Sequence, residues 1–374
     1  MASVAIIYLQ TDIHYMADIS KENIQKAIQD CVKQELPFVF YRLPDDTQVH
    51  FMAETNPGVN VPAPAPGFMF NPFLRSDKVP ACFIRKDIHF AGKADDLKGV
   101  KFNIDDVCGK DSANEKVTKE DFCLQVEKAV KDIRKGKIEK VILSRVEKVN
   151  VAEKNPVVNF IALCKKYPTA FVSLVVIPGK TVWLTASPEL LVSLEGDTVR
   201  SVSLAGTKPA NNEVPWGEKE KIEQQMVTDY IYSALAHNCI DVEMSGPEEV
   251  VAGNVAHLKT VFSGTLNTGM YQILNELHPT PAVCGLPKEK VLDFIRETEK
   301  HQRKYYSGYL GPCNMNGKTE WYVNLRCAEL FNGRANLFVG GGITADSIPE
   351  KEWNETIMKA QTLLSVIGPT LKIV

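Results

Sequence analysis

The chain has 374 residues, 44% hydrophobic and 24% charged, with a net charge of −3 and a pI near 6.2. This is ordinary globular usage, without the dense Lys/Arg block that would bind nucleic acid or an acidic bilayer, or an apolar run near the ~18 residues of a membrane span. A small molecule is therefore the expected partner, with neither nucleic acid nor membrane.

The opening stretch, "MASVAIIYLQTDIHY", carries no basic n-region and no cleavage-type motif. No secretory signal is expected, and the cytoplasm is the default location. Nine cysteines, from Cys31 to Cys327, stand singly, with no C-x-x-C pair and no zinc-ligand spacing. They are predicted to be reduced and mostly buried. Residues 56–80 hold much of the proline, and their aromatics predict an ordered loop wrapping the core. Neither a repeat nor a shift in charge pattern divides the chain. One domain over 1–374 is expected, with an N-terminal subregion at 1–117 and a motif-bearing core at 118–367.

Thr118 with Asp121 three residues later predicts a helix start, Phe122, Val126, Val130 and Ile133 an apolar face, and Gly136 a stop. The helix delivers the chain into "KVILSRV", residues 140–146, a predicted strand. Alternation there puts Arg145 on one face and Lys140 on the other, so each face of an apolar strand carries a cation. Downstream, "ELLVSLEGDTVRSVSLAGT" predicts two strands around Gly196-Asp197, and "TEWYVNLRCAELFNGRANLFVGGG" two more around Asn332-Gly333. Two long helices are interleaved. In the first, Met226, Val227, Tyr230 and Ala234 form the predicted apolar stripe, with Glu223 on its border. In the second, Trp353, Ile357, Ala360 and Leu364 are predicted buried, with Glu352, Glu355 and Lys359 on another flank. Strands grouped with helices between them suggest α+β packing.

Singly, these residues have ordinary explanations: a snorkelling strand lysine, an i,i+4 Glu-Lys pair, a strand ended by glycines. Together, the ordered motifs "KVILSR", "SPELLVSLEGDTVRSVSLAGTKP", "EKIEQQMVTDYI", "HLKT", "LHPTPAVCGLP", "RKYYSGYLGP", "YVNLR" and "VGGGITADSIPEKEWNETIMK" change the reading. Over residues 118–367 the chain resembles the chorismate-utilising enzymes, and within them the isochorismate synthases; residues 1–117 match only loosely. The resemblance implies two large, mainly antiparallel sheets packed as a sandwich with helices around them. It implies Lys140 as general base and Glu189 as general acid, with Glu223 and Glu355 as ligands of Mg2+. Gly206, Thr207, Gly340, Gly342 and Lys359 match positions around the ring carboxylate, and Tyr306 and Arg326 those holding the enolpyruvyl carboxylate. His257 matches a pocket-lining position.

The implied reaction adds water at C2 of chorismate as the C4 hydroxyl departs. Water is a weak nucleophile and hydroxide a poor leaving group, so a base and an acid are needed, each worth ~10²–10⁴-fold when positioned. Lys140 must then be neutral, its pKa brought from about 10.4 toward ~7–8 by desolvation or a neighbouring cation, while Glu189 must hold its proton. A hard divalent cation suits glutamates facing a substrate carboxylate.

Relatives that use ammonia generally lack a lysine at the Lys140 position, which favours water. Ala205 stands where aminodeoxychorismate enzymes commonly place a nucleophilic lysine. Ala282 stands where salicylate-forming relatives tend to carry threonine. Gln224, Cys284 and Lys304 depart from the usual histidine, glycine and glycine. The alternatives are a salicylate-forming or aminating enzyme, or a non-catalytic chorismate-binding protein. A monomer without an obligatory protein partner is expected, serving menaquinone synthesis, with siderophore or salicylate formation as other destinations.

Overall fold

The strand that starts at Lys140 runs to Asn150 and lies second from one edge of a nine-stranded antiparallel sheet in a computed structural model of the chain. The structure describes residues 21–55, 65–110, 116–210 and 214–368. Across this first sheet the strands run Gly285–Leu286, Lys140–Asn150, Arg334–Ile343, Cys327–Phe331, Thr181–Ser187, Phe171–Ile177, Phe38–Arg42, Gln48–Ala53 and Ile88–Lys93. The second sheet has eight: Cys239–Ala252, Val255–Leu266, Thr198–Pro209, Leu190–Glu195, Lys318–Val323, Tyr309–Cys313, Gly67–Asn71 and Cys82–Arg85. Strands from residues 38–93 thus extend both sheets.

Aromatics drive the sheets together. Tyr41, Phe171 and Trp183 of the first sheet share one buried cluster with Phe68, Phe70 and Tyr322 of the second. Phe171 stacks on Tyr322 with ring centroids 4.4 Å apart, a contact worth about 0.5–1.5 kcal/mol beyond its buried area. The outer faces carry the helices. Lys21–Gln34, Pro156–Lys166 and Pro349–Ile367 pack on the first sheet, and Glu218–Asn238 and Met270–Leu277 on the second. The α+β sandwich expected from the sequence is what forms.

The two cations of the Lys140 strand part as alternation requires. Val146 enters the core between the sheets, and Val141 and Leu143 face the helix Lys119–Arg134. Arg145, on that helix side, lies 4.0 Å over the Trp353 ring and pairs with Glu147 at 2.7 Å. Lys140 points to the other side, toward the gap between the sheets.

Other expectations are met or shifted. Thr118 caps its helix by accepting from the Asp121 N–H at 3.1 Å, and Gly136 follows with φ +68°. All nine cysteines are free, six of them buried. The 56–80 segment differs: within it Gly67–Asn71 is a sheet strand, and residues 56–64 lie outside the described ones, as does the N-terminal stretch read for a signal. In the first long helix Val227 and Ala234 are buried as predicted, together with Gln224, Thr228, Ile231 and Leu235, while Met226 and Tyr230 are only half-buried. A polar Gln224 joins the buried face through its hydrogen bonds to Ala205 and Ser203. Between residues 319 and 343 there are three strands rather than two. The chain leaves the second sheet after Val323 and enters the first at Cys327, and Arg326 makes that crossing at φ +47°. No helix among the described residues is long and apolar enough to cross a membrane.

Candidate active site

Where the Lys140 strand, the Arg334–Ile343 strand, the Thr198–Pro209 strand and two helices meet, a cavity opens of about 620 Å3 including its mouth. Glu189, Gly206, Thr207, Glu223, His257, Ala282, Tyr306, Arg326, Gly340, Gly342 and Lys359 all line it. Lys140 sits just behind this wall. Glu355 faces an adjoining acidic recess with Lys219 and Glu352.

Lys140 is fully buried, its Nζ 3.2 Å from Glu223 Oε1 and without a well-directed hydrogen bond among the described residues. Burial lowers its pKa, with Glu223 pulling the other way and Lys359 adding to the fall. Glu189 follows Ser187 and Pro188 at the end of the Thr181–Ser187 strand and is 3% exposed. Burial pushes its carboxyl up to about 8, against Lys140, Lys359 and Arg326. One amine is thus driven toward neutrality and one carboxyl toward its protonated form, the two states a base and an acid need.

At two glycines of the run these groups approach the backbone closely. A Cβ on Gly342 would lie 2.0 Å from Glu223 Oε1 and 3.3 Å from Lys140 Cε. On Gly340 it would lie 2.7 Å from the Tyr306 hydroxyl. Gly206, at φ +68°, turns the chain beside the helix carrying Glu223. Its carbonyl accepts from His257 Nδ1 at 2.8 Å, which leaves Nε2 to accept from Arg326 Nη2 at 3.1 Å. Burial, then Arg326, holds His257 neutral with a pKa near 3. Arg326 Nη1 is buried without a partner among the described residues. The Tyr306 hydroxyl is likewise buried, its pKa raised to about 12 by burial.

The i,i+4 spacing of Glu355 and Lys359 forms a pair at 2.7 Å, and Lys359 Nζ also donates to the Gly340 carbonyl at 3.2 Å. Glu352, one turn before Glu355, is 1% exposed and is held by Lys219, while its Oε2 has no partner among the described residues. Burial raises its pKa, and Glu355 beside it raises it further. Glu223, Glu355 and Glu352 are thus each paired with a lysine, and among the described residues no three His, Cys, Asp or Glu converge as a formed metal site would show. Their chemistry is nonetheless the kind a hard divalent cation takes: oxygen donors only, Glu223 on the cavity wall and Glu355 with Glu352, whose Oε2 is orphaned, in the adjoining recess.

Several supporting residues were not read from the sequence. Lys219 could have been found, since it lies four residues before Glu223 on one helix face, and Glu352, read only as sharing a flank with Glu355, was given no role. Gln224 accepts from the Ala205 N–H at 2.8 Å and donates to Ser203 Oγ at 2.8 Å, holding the strand that leads to Gly206. Glu299 and Arg303 form a buried pair at 2.6 Å behind the cavity. Glu299 also accepts from the Ser144 N–H, and Arg303 donates to the carbonyls of Ile142 and Val283. The pair ties the Lys140 strand to the turn bearing Ala282. Arg303→Met is expected to cost about 3–5 kcal/mol of stability, because it strands a buried carboxylate; a urea midpoint near the parent's would show that the pair carries little.

Comparison with known proteins identifies the family. The family profile described as "Chorismate binding enzyme" matches residues 101–368. Isochorismate synthase EntC of Escherichia coli is 32% identical over 245 residues, 62% of this chain and 63% of the relative, so the match spans less than two thirds of that protein's length. Isochorismate synthase DhbC of Bacillus subtilis is 32% identical over 67% of this chain and 68% of its own. The crystal structure of Bacillus anthracis DhbC superposes with a TM-score of 0.74 at 24% identity, covering 92% of this chain and 98% of that one. A profile match across well over half the chain, carried by the same strands and helices that build the cavity, establishes that the chain belongs to the chorismate-binding enzyme family.

Proposed function

We propose that the protein converts chorismate to isochorismate, with water as the nucleophile. The observation that carries this reading is the pair of buried groups at one cavity, Lys140 shifted toward its neutral form and Glu189 toward its protonated form. Lys140 takes a proton from water as the water oxygen bonds to C2. Glu189 gives its proton to the C4 oxygen, which leaves as water while the ring double bonds shift. Glu189 ends as carboxylate and Lys140 as ammonium, and exchange with solvent restores both.

Arg326 and Tyr306 bind the enolpyruvyl carboxylate, the guanidinium by its planar fork and the phenol by one directed bond. His257 holds Arg326 in place through its Nε2. Gly206, Thr207, Gly340, Gly342 and Lys359 receive the ring carboxylate. Glu223 and Glu355, with Glu352 beside them, would hold Mg2+, which when bound supplies positive charge that screens these carboxylates from the substrate's own. Ala205 offers no amine for covalent amination, and Ala282 leaves the wall by the ring without a hydroxyl.

The destination we propose for the product is menaquinone, a widespread use of stand-alone synthases. A deletion strain that keeps normal menaquinone would sink that assignment alone. The activity is tested by incubating the protein with chorismate and resolving products by chromatography and mass. Isochorismate is expected with Mg2+, none with EDTA, and no amino product when ammonia is added. Chorismate bound but unchanged would instead mark a non-catalytic binding protein, and salicylate with pyruvate a lyase.

A further inference from the structure

Tyr306 and Arg326, which hold the enolpyruvyl carboxylate in the reaction proposed, both sit on irregular backbone. Tyr306 lies in the turn of residues 303–308, where Lys304 and Ser307 take φ +52° and +61°, and Arg326 lies in the crossing between the sheets. Neither belongs to a helix or strand, so its place depends on what ties it down. Two ties join these segments to each other. Asn324, fully buried just before Arg326, donates from Nδ2 to the Tyr305 carbonyl at 2.9 Å. Its carbonyl accepts from the Ser307 N–H at 2.9 Å, and its N–H donates to the Gly308 carbonyl at 2.8 Å. At the other end of the turn, Lys304 Nζ donates to both carboxylate oxygens of Glu329, at 2.8 and 2.7 Å. Glu329 follows Arg326 in the strand Cys327–Phe331 and also accepts from Thr181 Oγ1 at 2.8 Å. Tyr306 and Arg326 are thus each bracketed, and the brackets are bonded to one another.

We propose that Lys304 and Glu329 are positioning residues that fix the Tyr306 hydroxyl relative to the Arg326 guanidinium, an inference that rests on assigning those two groups to one substrate carboxylate. Recognition of a carboxylate by a guanidinium fork and a phenol is directional, so a small displacement of one against the other weakens it. Arg303, one residue earlier, fastens the turn to the Lys140 strand instead. Lys304 is therefore the tie at this end that reaches the Arg326 strand. The pair is poorly suited to a purely stabilising role. Its side chains are 16% and 2% exposed, and at such burial desolvation offsets much of the attraction between the charges. Lys304 also occupies a left-handed backbone conformation, which glycine, usual at this position among the relatives the chain resembles, takes without strain. What lysine adds over glycine is reach to Glu329. The pair constrains geometry.

Two stable aromatic ligands test this: 3-(1-carboxyvinyloxy)benzoate, which carries both carboxylates, and 3-isopropenyloxybenzoate, in which a methyl replaces the second. Each is titrated calorimetrically into the full chain in the presence of Mg2+. The parent is expected to bind the dicarboxylate at least about 10-fold more tightly, the contribution of a charge-assisted contact. Lys304→Gly/Glu329→Gln removes both charges together, so no buried carboxylate is stranded. In that double variant the dicarboxylate should weaken about 5–10-fold and the monocarboxylate less than about 2-fold, as misplacement of one carboxylate contact requires. Lys304→Arg, which keeps a cation bonded to Glu329, should retain the parent's preference to within about 2-fold. A merely structural role would weaken both ligands alike and would overturn the proposal. A parent that prefers the dicarboxylate, with the double variant keeping that preference whole, would overturn it alone. A parent without the preference would overturn it together with the assignment of Tyr306 and Arg326. Neither ligand is turned over, so the result does not depend on which reaction the cavity carries out. Should the double variant fail to fold by circular dichroism, Lys304→Met, which keeps the aliphatic stem and the Thr181 bond to Glu329, decides by the same comparison.

Discussion

Replacing Lys140 with methionine is expected to lower chorismate turnover by at least about 10²–10⁴-fold, the contribution of one positioned base, while the protein still folds. Methionine nearly matches the lysine's length and volume, so a fully buried site is not left with a void. Glu223 loses its nearest amine but keeps Lys219 and Lys359 as neighbouring charges. Lys140→Arg separates charge from basicity: it supplies a permanent cation, yet a guanidinium does not accept a proton from water near neutral pH. Both variants should be inactive if the amine acts as a base. Steady-state turnover with circular dichroism checks this, and an arginine variant within tenfold of the parent would make Lys140 an electrostatic anchor instead.

Glu189→Gln is expected to lose a similar factor, about 10²–10⁴-fold, since the amide keeps the shape but cannot transfer a proton. The pH dependence should follow. With its carboxyl pushed up to about 8 by burial, the parent loses its acid as pH rises through that value, so kcat/KM should decline there. Stability follows the same shift. A carboxyl whose folded pKa is raised favours the folded state at low pH and loses that advantage as pH rises from the unfolded value, about 4.3, through about 8. Glu189→Gln removes that penalty, so its thermal midpoint should exceed the parent's above pH 8 and converge with it near pH 4. Equal midpoints at alkaline pH would mean that the buried carboxylate is stabilised by groups this structure does not show acting on it.

Much of this site was legible in the sequence because its parts obey short-range rules. A lysine opening an apolar strand, an i,i+4 Glu-Lys pair and a glycine run each mark a constraint that local geometry already imposes. The motifs also appear in one order, so their resemblance to the chorismate-utilising enzymes identified the family before any contact was known. Arg303 and Glu299 show where that reading stops. Their sequence spacing is that of an ordinary helical pair, yet they fasten strand and turn residues 20 to 161 positions away. Gln224 shows the same limit: a hydropathy count gives no sign that this amide is buried by its bonds to Ala205 and Ser203.

By itself the sequence determined the α+β composition, the central strands and long helices, and the residue types assembled at the cavity, because backbone periodicity and capping act within a few residues. Only the tertiary structure decided which sheet each strand joins, that Arg326 makes the crossing between them beside His257, and that Lys140 is buried against Glu223 rather than solvated. Protonation state and access depend on dielectric and on neighbours brought from distant parts of the chain, and those exist only once both sheets have closed on each other.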